Sequence, residues 1–359
     1  MSIYYIIERI PDSVKEGEAM FSKYLTSVPC SGEEGVVQWG KISRRETVML
    51  LLLILCLLVV AIAWGCYRYA FYAPPRKPRD PEALDVPEGA AYEPHRENME
   101  RWIREARALP QEAVSITSFD GLKLTGVYYE YAPGAPVELM FHGYRGNRER
   151  DLSGGVQRCF ALKRSALLVD QRGSLDSEGN TITFGIYEHR DCLAWVDFAV
   201  KKFGPDVKII LTGISMGAAT VMMAAGYDLP ENVMGVLADC GYTSAREIMH
   251  HVAGMLHLPA KLCYPFMKLG AKLFGHFDPE EFSPVEALKK AKVPVIFFHG
   301  EADSLVPCHM SRTCYEACAS RKKLVTVPGA EHGLSYPTDP ETYLAALREF
   351  FGPEGSYHE

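Results

Sequence analysis

The sequence has no excess of basic residues. It contains 38 Lys and Arg against 45 Asp and Glu in 359 residues, which gives a formal net charge of −7. Proteins that bind polyphosphate backbones present basic surfaces, so we expect no nucleic-acid partner. A hydrophobic fraction of 48% with 23% charged residues instead indicates a globular protein. The expected partner is a small molecule, a lipid-like acyl substrate or another protein.

The ten cysteines lack the repeated spacing of disulfide-stapled proteins. Three lie in or before an apolar segment near the N-terminus, and the odd number that remains favours a reducing compartment. Cys308, His309, Cys314 and Cys318 are close in sequence, but Cys314 and Cys318 have the spacing of one helical face. We interpret them as ordinary helix residues, and we expect neither a metal ion nor an organic cofactor.

Charge is also missing from Thr47 to Tyr67, a run of 21 residues. As a helix rising about 1.5 Å per residue, this run covers a bilayer core of about 30 Å. Trp64, Tyr67, Tyr69 and Tyr72 gather at one end, as interfacial aromatic residues do. We predict a single transmembrane helix over 47–67. A cleaved signal peptide and a buried core helix are the alternatives, and nearly equal basic flanks leave the orientation open.

Composition divides the rest of the chain into four parts. Residues 1–46 carry no usable motif and are assigned to an N-terminal tail. Residues 68–90 are rich in Pro and Arg and are expected to form a stiff linker that holds the next domain off the membrane. Residues 91–353 are long enough for one α/β domain, and 354–359 form a C-terminal tail.

Short apolar runs recur through this domain with little alternation, as in parallel strands buried on both faces. The first two, 114–119 and 122–129, flank Asp120-Gly121 and predict a hairpin. The other runs lie at 137–141, 166–169, 207–211, 233–238, 293–298 and 324–327, and the clearest helical patterns at 98–109, 189–202, 216–225, 309–319 and 340–351. This alternation predicts a mostly parallel eight-stranded sheet with helices on both faces. The long connection 242–282 is predicted to be a helical lid.

Gly213-Ile214-Ser215-Met216-Gly217 directly follows a predicted strand and opens a predicted helix. The G-x-S-x-G pattern in that context is typical of a nucleophile elbow, a turn so tight that side chains flanking the serine would collide with the adjoining elements. Ser215 is therefore the candidate nucleophile. A tight turn that merely contains serine is the alternative.

A serine hydroxyl needs an imidazole to accept its proton and a carboxylate behind that imidazole. Asp303 and His332 each follow a late predicted strand, so that Ser, Asp and His occur in the order expected for carboxyl ends of a parallel sheet. Asp239, which ends an earlier strand, and Asp278 are competing acids. Cys240 has no elbow and is interpreted as a buried residue.

The loop after strand 137–141 contains His142-Gly143-Tyr144-Arg145-Gly146. It can turn the backbone N–H of Tyr144 toward the nucleophile, while Met216 supplies a second N–H, and two such donors would form an oxyanion hole. His142 is interpreted as a structural residue of the loop rather than as a second base.

From about residue 114 to 351, these residues resemble the α/β-hydrolase superfamily. The likeness is strongest to a bacterial branch of serine esterases and serine-aminopeptidase-like hydrolases, similar to cinnamoyl esterases and to membrane-tethered acyl-protein thioesterases. Residues 169–179 are similar to the D-x-R-G-x-G-x-S-x-G segment of that branch, with Leu175 in place of a glycine. Asp170 and Arg172 in this segment are interpreted as a structural pair.

The resemblance implies that Ser215 is the nucleophile, Asp303 the acid, His332 the base, and Tyr144 and Met216 the oxyanion donors. The expected reaction is hydrolysis of a carboxylic ester through an acyl-enzyme. A serine peptidase, an acyl-protein thioesterase and a non-catalytic ligand-binding protein of the same fold are the alternatives. Apolar residues of the predicted lid suggest either an acyl pocket or lid-to-sheet packing: Ile248, Met249, Met255, Leu256, Leu258, Leu262, Tyr264, Phe266, Met267, Leu269, Leu273 and Phe274.

Overall fold

The computed structural model describes residues 43–74, 80 and 82–352. Residues 1–42 of the predicted N-terminal tail, part of the predicted linker and the predicted C-terminal tail lie outside the described residues. The chain divides into two compact units, residues 1–59 and 60–359. The described part of the first unit consists of Ser43 and the first residues of a long helix.

This helix, α1, runs from Arg44 to Ala70 and contains the predicted span 47–67. A capping box starts it, because the Glu46 N–H donates to Ser43 Oγ at 3.2 Å and the Ser43 N–H donates to Glu46 Oε2 at 2.8 Å. Its mean hydropathy reaches 3.0 over an 18-residue window. Among the described helices, α1 alone is long and apolar enough to cross a membrane.

One eight-stranded sheet forms the centre of the second unit, with the order β1-β2-β4-β3-β5-β6-β7-β8. The strands are β1 (Glu112–Thr117), β2 (Lys123–Tyr129), β3 (Val137–Phe141), β4 (Ser165–Val169), β5 (Ile209–Ile214), β6 (Val233–Asp239), β7 (Val295–Gly300) and β8 (Lys322–Val327). The predicted hairpin pairs β1 with β2, and β2 runs antiparallel to β4. All other pairs are parallel. The predicted mostly parallel eight-stranded sheet is confirmed.

Helices cover both faces of this sheet. The helices after α1 are α2 (Arg96–Ala108), α3 (Arg148–Ala161), α4 (Glu188–Phe203), α5 (Met216–Ala224), α6 (Ala245–Met255), α7 (Ala260–Gly270), α8 (Pro284–Leu288), α9 (His309–Ala317), α10 (Ser335–Thr338) and α11 (Pro340–Phe351), with a short 3₁₀ turn at Glu93–His95. Leu139 packs with residues of α4, α5 and α9, whereas its neighbour Met140 packs with residues of α2 and α3. Successive strand residues therefore serve opposite apolar layers.

Helix α3 was not predicted from the sequence, because Gly154 and Gly155 are poor helix formers. Both glycines are needed for close packing. A Cβ on Gly154 would lie 2.7 Å from the Trp102 ring of α2, and one on Gly155 would lie 2.9 Å from the Met140 side chain of β3. The helix thus fits against α2 only without a side chain at Gly154, whereas at Gly155 the flexible end of Met140 would have to move.

The predicted lid 242–282 is helical and contains α6, α7 and a π-helical turn at Ala271–Gly275. Ile248, Met249 and Tyr264 are buried. By contrast, Leu258, Leu262 and Leu273 are 47%, 64% and 46% exposed. Part of the apolar composition therefore serves packing, and part of it faces outward.

Residues 68–74 differ from the predicted stiff linker. Residues 68–70 complete α1, and Phe71 and Ala73 are buried in the second unit. The Ile182 N–H donates to the Phe71 carbonyl at 2.7 Å, and the Ala73 N–H donates to the Asn180 carbonyl at 2.8 Å. Their apolar side chains and these backbone bonds make the segment part of the compact unit rather than a spacer.

Gly270 lets α7 approach the end of α1. A Cβ there would lie 2.3 Å from the Ala63 carbonyl oxygen, a backbone atom that cannot move easily.

We expect Gly270→Ala to destabilise the protein by about 1–3 kcal/mol through overpacking. Gly254→Ala in α6 is the matched control. Because nothing lies within 4 Å of a Cβ there, it should stabilise the helix by about 0.5–1 kcal/mol. Chemical unfolding of the detergent-solubilised chain measures both, and equal effects would contradict the close contact.

Candidate active site

Ser215 stands alone in the turn between β5 and α5. Its φ and ψ are 56° and −117°, a conformation that residues with a side chain rarely adopt. The Ser215 N–H donates to the Asp239 carbonyl at 2.8 Å, which holds the turn against the end of β6. The turn therefore presents the Ser215 hydroxyl at the carboxyl edge of the sheet.

The two flanking glycines make this turn possible. A Cβ on Gly213 would lie 2.1 Å from the Gly217 carbonyl oxygen. A Cβ on Gly217 would lie 2.0 Å from the Phe141 carbonyl oxygen at the end of β3. Both contacts are far below van der Waals distance and involve backbone atoms, so the turn requires glycine at each position.

The structure brings Ser215, His332 and Asp303 together. His332 Nε2 lies 2.9 Å from Ser215 Oγ, and His332 Nδ1 lies 2.7 Å from Asp303 Oδ2. Asp303 follows β7 and His332 follows β8. The hydrogen-bonded row of Ser215, His332 and Asp303 is therefore built from the ends of three strands. With the proton on Nδ1 donated to Asp303, Nε2 can accept the hydroxyl proton of Ser215.

Asp303 is 6% exposed, and burial alone would raise the pKa of its carboxyl group. The imidazoles of His332 and His299 outweigh burial and hold that pKa well below its usual range. In addition, the N–H groups of Leu305 and Val306 donate to Asp303 Oδ1 at 3.0 and 2.8 Å. The Asp303 carboxylate is therefore ionised at neutral and mildly acidic pH.

Two residues of the site were missed from the sequence. His299, at the end of β7, is fully buried, and its Nε2 lies 3.2 Å from Asp303 Oδ2. Tyr92 donates its hydroxyl to the His332 carbonyl at 3.0 Å from 240 positions away in the sequence. The position of His299 four residues before Asp303 was a usable signal, whereas no local pattern marks Tyr92.

Tyr144, a predicted oxyanion donor, belongs to the loop after β3, and Met216, the other predicted donor, directly follows Ser215 in the chain. A Cβ built on Gly143 would come within 3.4 Å of Ser215 Cβ, so the loop after β3 passes directly by the serine. The Gly143 N–H donates to Asp151 Oδ2 at 3.0 Å. Within residues 43–74, 80 and 82–352, the Tyr144 N–H has no acceptor. Met216 is the first residue of α5, where N–H groups have no partner inside the helix.

The competing acids have other partners. Asp239 accepts the Ser335 hydroxyl at 2.8 Å and the Tyr343 hydroxyl at 3.0 Å, and burial raises its pKa. Asp278 pairs with Lys268 at 3.4 Å and with Lys272 at 2.8 Å. Neither carboxylate is hydrogen-bonded to His332, so the geometry favours Asp303.

In the described part of the chain, Cys240 is the single further side chain that could bind a metal ion together with Asp303 and His332. Its sulfur and the ligand atoms of Asp303 and His332 lie within 4.8 Å of one another. Burial, followed by the charges of Asp239 and Asp303, raises the pKa of the Cys240 thiol well above its ordinary value. A metal needs the thiolate, so the arrangement suits a hydrogen-bond relay better than a metal site.

The segment 169–179 departs from one prediction. Asp170 and Arg172 do not pair with each other, because Asp170 bonds Arg148 and Arg172 bonds Asp191 at 2.7 Å and Asp120 at 2.9 Å. Both side chains are buried, and opposite charges from other parts of the chain already balance each of them, so they need no direct pair. Leu175, in place of a glycine, has φ of 43°, so this position keeps the left-handed backbone that glycine favours.

His142 is structural, as expected, because its Nε2 accepts the Gln171 N–H at 3.0 Å.

Around the elbow lies an apolar cluster. It consists of Ala73, Ile182, Met216, Ala219, Tyr242, Ile248, Val306 and Met310, with Tyr144, Phe184, Val252 and Leu305 packed against it. These side chains are buried or partly buried, so the cluster is part of the packing around the turn.

One protein family matches part of this chain. Residues 181–354 match the prolyl oligopeptidase family. The uncharacterized protein YqkD of Bacillus subtilis is 28% identical over 187 residues, which cover 52% of this chain and 61% of YqkD. The match thus spans less than two thirds of that relative's length.

Two solved structures are similar to most of the second unit. The esterase Pf2001 of Pyrococcus furiosus has a TM-score of 0.58 at 20% identity and covers 75% of this chain and 97% of its own. Est1E of Butyrivibrio proteoclasticus, solved with ferulic acid, has a TM-score of 0.50 at 21% identity and covers 66% of this chain and 97% of its own. At these identities the likeness shows a shared fold.

The two buried acids can be separated by experiment. We expect Asp303→Asn to slow the reaction of Ser215 with a fluorophosphonate by a factor on the order of 10³, because the imidazole loses its orienting carboxylate. Asp239→Asn should change that rate by less than about threefold, since its carboxylate does not face the imidazole.

The pH dependence gives a second readout. Because the pKa of Asp303 is held low, its carboxylate stays charged at neutral and mildly acidic pH, and Asp303 should contribute no inflection to the wild-type rate there. An inflection from a carboxyl group in that range, or a larger loss in Asp239→Asn than in Asp303→Asn, would contradict the assignment.

Proposed function

We propose that this chain, which has the α/β-hydrolase fold, is a serine hydrolase that cleaves carboxylic esters through an acyl-enzyme. The observation that carries the proposal is the hydrogen-bonded row from Ser215 through His332 to Asp303. The fold agrees with the resemblance noted from the sequence. The esterase names of Pf2001 and Est1E support this class of substrate.

The mechanism follows from the contacts. His332 Nε2 takes the Ser215 proton while Ser215 Oγ attacks the carbonyl carbon, and the N–H groups of Tyr144 and Met216 stabilise the oxyanion. His332 then gives the proton to the leaving oxygen. Water, activated by the same imidazole, releases the acid from the acyl-enzyme and restores the Ser215 hydroxyl.

A serine peptidase is the second candidate, favoured by the match to the prolyl oligopeptidase family. An aminopeptidase needs an anionic anchor for a free amino group, and Glu301 and Glu331 are close in sequence to Asp303 and His332. Glu301 accepts the Thr326 hydroxyl at 2.7 Å, and Glu331 accepts the Ser304 hydroxyl at 3.1 Å and its N–H at 3.2 Å. These donors are neutral and leave both carboxylates charged, so either could anchor an amino group, and the rates on esters and amides decide between the two substrate classes.

We also propose that α1 anchors the chain in a membrane as a single span, which suits an acyl-protein thioesterase as a third candidate. If α1 is an uncleaved anchor, the expressed protein stays in the membrane fraction after an alkaline carbonate wash and keeps residue Met1 or its neighbours at its N-terminus. An N-terminus downstream of Tyr67 would instead identify a cleaved signal sequence.

Activity-based labelling tests the reaction class. We expect the full-length wild type in detergent to react with a fluorophosphonate probe, and we expect labelling to disappear in Ser215→Ala and to fall by about 10³-fold or more in His332→Ala. Ser283→Ala is the matched control, because Ser283 caps α8 away from the row, and it should label like the wild type. Labelling that survives Ser215→Ala would remove the proposed nucleophile.

Substrate preference then follows from rates. We expect p-nitrophenyl esters with two to sixteen acyl carbons to be cleaved faster than aminoacyl amides and acyl thioesters. Faster cleavage of amides would identify a peptidase, and faster cleavage of thioesters a thioesterase. A wild type that neither labels with the probe nor turns over any of the three would support the non-catalytic alternative.

A further inference from the structure

The loop that carries Tyr144 is bonded to the last turn of α1. The Tyr144 hydroxyl donates to the Ala70 carbonyl at 2.8 Å. The guanidinium of its neighbour, Arg145, donates to the Tyr69 carbonyl at 2.7 Å and to the Tyr72 carbonyl at 3.3 Å. Two adjacent residues beside Ser215 therefore hold three backbone carbonyls at the end of the apolar helix.

These carbonyls need partners. The last four carbonyl groups of a helix receive no hydrogen bond from an N–H group of the helix itself. Together they form the negative end of the helix dipole. A guanidinium is well suited to such a position, because it is always charged and can donate to two oxygens at once. The helix has a cation in its own last turn, Arg68, whose guanidinium lies over the Tyr72 ring, whereas the guanidinium bonded to the carbonyls is that of Arg145 in the loop.

The same bonds fix the backbone of the loop. Arg145 has φ of 54°, which costs energy for a residue with a side chain. Upstream, the Gly143 N–H is held by Asp151, and downstream the Ser174 hydroxyl donates to the Gly146 carbonyl at 2.8 Å. Between these two points, the Gly146 N–H donates to the Gly143 carbonyl at 3.1 Å, which closes a turn with Tyr144 and Arg145 at its centre. The side-chain bonds of these two central residues to α1 add to that turn bond in holding the direction of the Tyr144 N–H.

We propose that the end of α1 is a structural part of the oxyanion hole, and that Arg145 is a positioning residue that aims the Tyr144 N–H by capping the helix. This inference rests on the proposed function. It means that the apolar helix does more than hold the enzyme at a membrane, since the catalytic loop has its full geometry only while residues 69–72 are docked.

The test compares steady-state ester hydrolysis by the full-length chain and its variants in detergent. Arg145→Ala keeps the left-handed backbone position occupied by a residue with a Cβ and removes both capping bonds. We expect kcat to fall about tenfold with KM unchanged, because loss of a whole oxyanion donor costs about 10² to 10³. Arg145→Lys, which keeps one cationic donor, should recover part of that loss, and the pH profile should not move in either variant.

Arg321→Ala is the matched control. Like Arg145, Arg321 donates to a carbonyl near the end of a helix, that of Phe350 at 2.9 Å. Each guanidinium also lies over an aromatic ring: that of Arg145 is 5.1 Å from the Tyr144 ring centroid, and that of Arg321 is 4.5 Å from the Phe350 ring centroid. Its removal should lower the melting temperature while leaving kcat unchanged. Arg145→Ala and Arg321→Ala therefore share a similar structural loss and differ in their proximity to the serine.

The outcomes separate the two proposals. An active wild type whose kcat is unchanged in both Arg145→Ala and Arg145→Lys would overturn the positioning role and leave the hydrolase proposal intact. A fall in kcat of the same size in Arg321→Ala would also overturn it, because the effect would then be one of stability. A wild type that neither labels with a fluorophosphonate nor cleaves esters would overturn both.

Discussion

The site depends on the close approach between the turn after β5 and the end of β3. Ser215 has φ of 56°, a conformation that costs about 1–3 kcal/mol outside glycine. Packing sustains it, since Gly217 touches the Phe141 carbonyl and the Ser215 N–H bonds the end of β6. The same approach brings the loop after β3 alongside the serine. One backbone contact thus holds the proposed nucleophile in its turn and brings the loop of Tyr144, the predicted oxyanion donor, beside it.

Asp239 and Asp303 show how surroundings decide the chemistry of similar residues. Both follow parallel strands, at the ends of the adjacent β6 and β7, and both are almost fully buried. Burial raises the pKa of Asp239, whose partners are neutral hydroxyl groups. Asp303 meets two imidazoles, which keep its pKa low despite the same loss of water. The difference lies in the partners, and all of these except His299 come from distant parts of the chain.

This contrast explains what could be predicted from the sequence. Buried parallel strands are marked by their own apolar residues, and the elbow by its own glycines, so both could be found locally. Asp303 could not be separated from Asp239 by pattern alone. Helix α3 was missed because the glycines that fit it against Trp102 and Met140 are, in isolation, helix breakers. Tyr92 reaches His332 across 240 positions, and nothing near it in sequence announces that contact.

The sequence of the apolar helix α1 likewise does not show which of its faces packs against the rest of the protein. Ala63, Tyr67 and Phe71 are spaced four residues apart, so they lie on one face, and all three are buried. In a uniformly apolar helix no polar stripe distinguishes a packing face from a lipid-facing one, and hydropathy therefore reports only length. Packing between apolar helices is marked instead by small residues, as where Gly270 meets the Ala63 backbone. A span that reads as a simple anchor can for this reason end as a buried element of the domain that follows it.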